Sequence, residues 1–337
     1  MKSDRTSISY LSWFAFPVLT YLIVAVPLSI FLEPISGDLT RIGYWSERDF
    51  GWNKAQPEVA VQANGALSSN PQVLVLGDSF SHPNIWQSYL AESQHLEILS
   101  FQYQDVGCVD NWLNWVLDNN YSNMRTVIIQ VVERSFVPVF RNLNRCASRV
   151  PVPFEVAEEH ITVARPDSGL TLDATYLFAT ATNMFRMAWS DDRIVSAGVV
   201  NAPLSSDSLF SNRKSNRLLY YAEDENKMSW SEKDMTLAVG NLKSIQGALD
   251  KRGLNLVVIV VPDKSSAYRN YLADEKNKDG YPDIFEQLKA SDVNNVNLLG
   301  FFQYAVGETV DLYLPNDTHL SVQGYKLMAL KVSDELF

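Results

Sequence analysis

Gln72-Val-Leu-Val-Leu-Gly-Asp-Ser-Phe-Ser81 decides how this chain is read. Val73 to Leu76 is an unbroken apolar run, which predicts a strand buried on both faces of a parallel sheet. Gly77 lets the backbone turn sharply as it leaves that strand. Ser79 then stands at the carboxyl end of the strand, just ahead of a predicted helix. In open α/β sheets ligands bind along that edge. Backbone N–H groups at the start of the following helix suit a developing negative charge.

A serine needs a base before it attacks anything. The candidate lies near the other end of the chain, in Leu314-Pro-Asn-Asp-Thr-His-Leu-Ser-Val-Gln-Gly-Tyr325. His319 is placed to take the Ser79 proton, and Asp317 to fix the tautomer and orientation of the imidazole. The bland alternatives are a serine and an aspartate that cap helices and a histidine on the surface.

Outward from Ser79 the chain alternates. A helix is predicted over Ile85 to Glu92, a strand over Leu96 to Phe101, a helix through Trp112 to Leu117 and a strand over Arg125 to Val132. Ser229 and Glu232 read as a capping box for a long helix through Leu249. Leu254 to Val261 reads as a further buried strand, Ile284 to Ala290 as a short helix, Asn297 to Leu299 as the last strand and Val322 to Leu336 as an amphipathic helix. This pattern predicts an α/β fold, a doubly wound parallel sheet with helices on both faces. Residues 137 to 230 are less regular and read as an insertion over the site.

The N-terminus has a different character. Lys2 and Arg5 precede an uncharged stretch from Tyr10 to Leu32, long enough to cross a bilayer as a helix. The basic residues before it and Glu33 and Asp38 after it put residues 1–9 in the cytoplasm and the rest beyond the inner membrane, in the periplasm of a Gram-negative cell. A cleaved signal peptide is the alternative, but the apolar run is longer than a signal core. Residues 33–69, with scattered Pro, Gly and charges, read as a stalk leading to a catalytic domain over 70–337.

Of 337 residues, 46% are hydrophobic, so a full core is expected, and the net charge of −11 disfavours nucleic acid as a partner. Cys108 and Cys146 have no further Cys or His at ligand spacing, so no metal site is expected. In an exported domain the two are compatible with a disulfide; otherwise they are buried thiols.

Gly77-Asp-Ser-Phe80 near the start, with Asp317-x-His319 and a Gly-containing helix near the end, resembles the SGNH (GDSL-type) hydrolase superfamily. The match is closest to its alginate O-acetyltransferase-like branch (AlgJ/AlgX-like). Val131-Val-Glu-Arg-Ser-Phe136, Val261-Pro-Asp-Lys264 with Tyr268, and the N-terminal apolar segment add to the likeness, which spans roughly residues 70–337. Two features depart from the alginate branch: Asp-x-His follows the serine motif, and Leu320 stands where a tryptophan is frequent.

The resemblance implies a flavodoxin-like strand order and catalysis by Ser79, His319 and Asp317 without a cofactor. The oxyanion donors would be the Ser79 N–H and Gly107, which sits where the superfamily keeps a glycine. Arg134 is a candidate for binding substrate, with an ion pair as its alternative. Lys264 and Tyr268 are candidates for lining the cleft, with structural roles as theirs. Trp86, Trp112 and Trp115 would either stack on sugar rings or lie in the core. The implied function is a membrane-anchored periplasmic O-acetyltransferase that acts on an exopolysaccharide or envelope glycan. Its acetyl donor would be delivered by a membrane-bound acyltransferase partner. A carbohydrate esterase or lipase and a non-catalytic polysaccharide-binding scaffold remain as alternatives.

Overall fold

A computed structural model describes residues 3–33, 36–64, 70–119, 121–143, 149–165, 169–273 and 282–337. The chain opens with α1 (Ser3–Leu32), α2 (Asp38–Gly43), α3 (Glu47–Phe50) and β1 (Glu58–Val61). Next come β2 (Val73–Gly77), α4 (Ile85–Gln94), β3 (Ile98–Gln102), α5 (Tyr103–Val106), α6 (Val109–Asp118) and β4 (Thr126–Val132). The middle of the chain holds α7 (Phe136–Phe140), β5 (Glu159–Thr162), α8 (Ala174–Trp189), β6 (Ile194–Ser196), β7 (Val199–Pro203) and β8 (Arg217–Tyr221). Then follow α9 (Glu232–Asp250), β9 (Asn255–Val261), α10 (Lys264–Ala267) and α11 (Ile284–Ala290). The last elements are β10 (Asn295–Val296), α12 (Leu298–Glu308) and α13 (Val322–Leu336).

The central sheet has the order β10-β9-β4-β2-β3, and every neighbouring pair is parallel. From β2 the chain first goes outward to β3, then returns to β4 on the other side. The order thus reverses at β2, as in flavodoxin-like folds, and the crevice at such a reversal is a ligand site. Alternate residues of each strand point to opposite faces. Val73 and Val75 join one core with α4, α12 and α13, whereas Leu74 and Leu76 join the other with α6, α9 and α11. That two-sided burial is why the strands read as unbroken apolar runs.

The middle of the chain is folded. β6, β7 and β8 make an antiparallel sheet, and β5 pairs antiparallel with β1. Val200, Ala202, Leu218 and Tyr220 reach the core beside α13.

Residues 36–64, within the stretch that reads as a stalk, are packed on the domain. Leu39, Trp45 and Phe50 are buried against Met187, Ile194, Val199 and Leu219, and Val59 and Val61 enter the main core. The short helices α2 and α3 carry too few residues to show a period, so their burial left no sequence signal.

Two smaller corrections follow, and the tryptophans take the core alternative. The last strand is Asn295–Val296, because Asn297 caps α12 by accepting from the Leu299 N–H. The capping box of α9 is Ser231 with Asp234, while the Ser229 hydroxyl turns back to the Asn226 carbonyl. Trp86 and Trp112 are core residues, and Trp115 packs on Phe101 and Tyr121. Cys108 is disulfide-bonded; Cys146 lies outside the described residues.

Helix α1 contains an 18-residue stretch, Ala15–Leu32, apolar and long enough to cross a membrane. Because Trp45 is fully buried, Trp45→Ala is expected to lower the unfolding free energy by about 3–5 kcal/mol. Denaturant unfolding measures it; a tryptophan in a loose linker would leave stability unchanged.

Candidate active site

The turn after β2 is built around one buried polar side chain. Gln130 lies in the middle of β4 with no exposure, its amide facing the loop that leaves β2. Its Oε1 accepts from the Asp78 N–H at 3.2 Å and the Ser81 hydroxyl at 2.7 Å, and its Nε2 donates to Asp78 Oδ1 at 3.0 Å. Asp78 also accepts from the Phe80 N–H at 2.9 Å and the Val132 N–H at 2.6 Å. Burial pushes the Asp78 carboxyl up, although these donors oppose the shift. Gly77 is required here because a Cβ would stand 2.2 Å from Ser81 Oγ. The outcome is that Ser79 projects from a rigid turn, exposed at the sheet edge.

His319 and Asp317 sit on a tight loop ahead of α13. The Leu314 N–H donates to the His319 carbonyl at 3.0 Å, and Tyr313 bridges to Leu320. His319 Nε2 lies 2.9 Å from Ser79 Oγ, and Nδ1 lies 2.6 Å from Asp317 Oδ1. Asp317 Oδ1 also accepts from the His319 N–H at 2.9 Å. Burial alone would raise the Asp317 carboxyl, but the hydrogen bond and charge of His319 hold it at about 2. Burial alone would lower His319, but Asp317, with help from Asp38 and Asp78, raises it above its ordinary 6.5. The phenyl ring of Phe80 stands 5.0 Å from the imidazole and limits its rotation.

Groups on other elements hold this loop. Lys264 donates from Nζ to the carbonyls of Leu314 at 2.7 Å, Pro315 at 3.0 Å and Asp317 at 3.0 Å. Burial pushes this ammonium down to about 7. Its three carbonyl acceptors nevertheless match the three donors of the charged form.

The N-terminal segment grips the other side. The Leu39 and Thr40 N–H groups donate to the Asn316 carbonyl at 3.1 and 3.3 Å, and Asn316 Nδ2 donates to Glu47 Oε2 at 3.0 Å. The Asp38 N–H donates to Asp317 Oδ2 at 3.2 Å, while Asp38 Oδ1 accepts from the Thr318 N–H at 2.9 Å. Gly37 is needed for the approach, since a Cβ there would stand 2.1 Å from the Asn316 oxygen.

Ser79, Asp317 and His319 open onto a cleft of about 700 Å³. Pro83, Ile85, Ile161, Val163, Leu320 and Val322 give it apolar walls; His82, Gln102, Tyr103 and Gln104 give it polar ones. Ile161 and Val163 come from the irregular middle of the chain, so that region does border the site.

Four of the residues proposed from sequence are not among those lining the cleft. Gly107 lies beyond α5, with a φ of 82° that suits glycine, and Gln102 to Gln104 take the cleft edge in its place. Arg134 pairs with Asp263 at 2.8 Å and Asp224 at 3.4 Å, which is the ion-pair alternative. Lys264 braces the loop from beneath. Tyr268 is fully buried against Phe210 and Tyr313, its hydroxyl accepting from the Tyr313 N–H at 3.3 Å.

Sequence reading missed Asp38, Gln102, Gln130 and Tyr325. Gln130 had a signal, a lone amide inside an apolar strand. Asp38 had none, because its role depends on a contact with residues near the other end of the chain. Gln102 Nε2 and the Tyr325 hydroxyl are buried at the cleft without a partner among the described residues.

Residues 215–336 match the family model described as SGNH hydrolase-like domain, acetyltransferase AlgX. The matched stretch contains Lys264, Asp317 and His319; Ser79 precedes it. No curated protein sequence matches the chain. From β8 to the end of α13, the chain is thus similar to the SGNH hydrolase-like domain of the AlgX acetyltransferases, the branch to which its two motifs point.

Proposed function

We propose that the protein is a membrane-anchored O-acetyltransferase that carries an acetyl group on Ser79 to hydroxyls of a polysaccharide outside the cytoplasmic membrane. The observation that carries this reading is the hydrogen-bonded chain Ser79–His319–Asp317, at 2.9 and 2.6 Å, facing a cleft. In the first half-reaction Ser79 Oγ attacks the acyl carbonyl while its proton passes to His319 Nε2. Asp317 keeps the Nδ1–H pointed inward and stabilises the imidazolium. The tetrahedral intermediate collapses, the leaving group takes the proton from His319, and an acetyl ester remains on Ser79. In the second half-reaction a sugar hydroxyl gives its proton to His319 and attacks that ester, and His319 returns the proton to the departing Ser79 Oγ.

The Ser79 N–H makes no hydrogen bond among the described residues and is free to face the oxyanion. A donor in that position is worth roughly a hundredfold or more in rate. The Gln102 amide, beside Gly77 in register, is the second candidate in place of Gly107. Helix α1 supports the anchor, and a domain outside the cytoplasm would need its acetyl donor brought across the membrane, which fits delivery by a membrane-bound acyltransferase. The exposure of Ser79 favours one competing reading, an esterase in which water takes the acetyl group.

Supplied with p-nitrophenyl acetate and neutral or uronic oligosaccharides, the full chain is expected to produce O-acetylated sugar, and Ser79→Ala to produce none. Acetate released at the same rate with and without sugar would make it an esterase. Unchanged sugar binding with no turnover by either protein would make it a scaffold.

Acylation requires neutral His319. Because that group is raised, the acylation rate should climb with pH through a midpoint above 6.5. Asp317→Asn removes the main force raising it. The midpoint should then fall, and the rate should drop by roughly a thousandfold or more. Stopped-flow release of p-nitrophenol across pH measures both. A midpoint that does not move would mean Asp317 does not hold the histidine.

A further inference from the structure

Helix α8 leaves apolar side chains on its outer side. Its buried side mixes Tyr176, Leu177 and Met187 with Thr180 and Asn183; Asn183 Nδ2 donates to the Gly43 carbonyl at 3.1 Å, the Tyr44 carbonyl at 2.9 Å and Ser196 Oγ at 2.9 Å. Thr180 is fully buried on the same side. Its outer side is apolar: Phe178 is 69% exposed, Phe185 63% and Trp189 80%. Their spacing of seven and four residues puts them on one face. Thr182 lies on that face too, and its hydroxyl donates back to the Phe178 carbonyl at 2.7 Å. Phe185 and Trp189 stack at 5.4 Å, and Leu170 and Leu172 extend the exposed apolar surface ahead of the helix. Only Asp173 and Arg186 are charged between residues 169 and 189. Water is a poor solvent for a patch of this kind.

What covers the patch follows from its neighbour. Ala25 and Leu32 of α1 pack on Tyr176 and Leu177 of α8. The Tyr21 hydroxyl donates to the Leu172 carbonyl at 2.5 Å, and the Thr171 N–H donates to Ser29 Oγ at 2.8 Å. These contacts fall inside the apolar stretch Ala15–Leu32. Tyr21 lies eleven residues before Leu32, about 16 Å along the helix axis, so the stretch from Tyr21 to Leu32 spans about the outer half of a hydrocarbon layer about 30 Å thick. An apolar groove joins the two helices, with Phe16, Pro17, Val24 and Leu28 on one wall and Leu177 and Phe178 on the other. If one wall is in lipid, so is the opposite one.

We propose that the outer face of α8 is a second membrane contact. Phe178, Phe185 and Trp189 sit among the acyl chains of the outer leaflet, and lipid fills the groove beside α1. The catalytic domain thus lies on the membrane instead of hanging from it. This rests on the reading of α1 as an anchor. The segment that receives Asn183, residues 43–44, is continuous with α2, which grips Asn316 in the catalytic loop. The seat on the membrane and the site are therefore one short segment apart.

The test uses the full chain, labelled under non-reducing conditions with an environment-sensitive fluorophore at Phe185→Cys or Trp189→Cys. A third label goes on α1 at Ile23→Cys, which is 72% exposed. Each is reconstituted in phosphatidylcholine–phosphatidylglycerol vesicles and challenged with doxyl-labelled lipid and, separately, with iodide. All three positions are expected to be quenched by doxyl lipid, by at least twofold, and to be protected from iodide. Positions 185 and 189 open to iodide, with 23 in lipid, would overturn the membrane contact and leave the anchor standing. All three open to iodide would overturn the anchor as well. Positions 185 and 189 shielded from both quenchers would overturn the proposal in favour of a protein partner or a second copy.

Discussion

The hydrogen bond between His319 Nε2 and Ser79 Oγ joins residues 240 apart in sequence across 2.9 Å, and the rest of the molecule bears on keeping it. One end is fixed from within the sheet: Gln130 and Asp78 lock the turn that carries Ser79. The other end rides on the loop between α12 and α13, closed by the Tyr313–Leu320 bridge. Such a loop is held through its backbone carbonyls and N–H groups, and two elements, α10 and α2, supply the partners. Lys264 takes three carbonyls from below, α2 takes a fourth, and Asp38 bonds both the Asp317 carboxylate and the Thr318 N–H.

The arrangement places ions where water is scarce, which is costly unless each is met. Lys264 is met by carbonyls. Lys227 is met by Glu133 at 2.8 Å and Asp263 at 2.5 Å, and Arg134 by Asp263 and Asp224. Burial, with the neighbouring charge of Asp263, pushes the Asp224 carboxyl up to about 8. The cluster ties the ends of β4 and β9 to the segment after β8.

The central sheet was legible because strands buried on two faces must be apolar at every position, and because Gly-Asp-Ser and Asp-x-His are local patterns. The three residues at the centre of the site were therefore readable, and the structure brings them together. The supporting residues were not. Arg134 and Lys264 follow strand ends, the usual position of a ligand-binding residue, but a strand end also hosts buried ion pairs and loop braces. Only the partner distinguishes these roles, and the partner is far away in sequence. Gly107 failed for a related reason. Its expected role rests on analogy of order, whereas Gln102 reaches the cleft because its register puts it beside Gly77. Residues 33–69 read as a stalk because helices of four to six residues show no period, although Asp38 and Glu47 hold the loop that carries Asp317 and His319.

The account turns on a covalent intermediate, so the most direct measurement is peptide-mapping mass spectrometry after rapid acid quench of the full chain with p-nitrophenyl acetate. The account predicts one acetyl group on the peptide containing Ser79, absent in His319→Ala and discharged when oligosaccharide is added before the quench. A fully active enzyme that never carries acetyl on Ser79, or one that carries it on another residue, would contradict it.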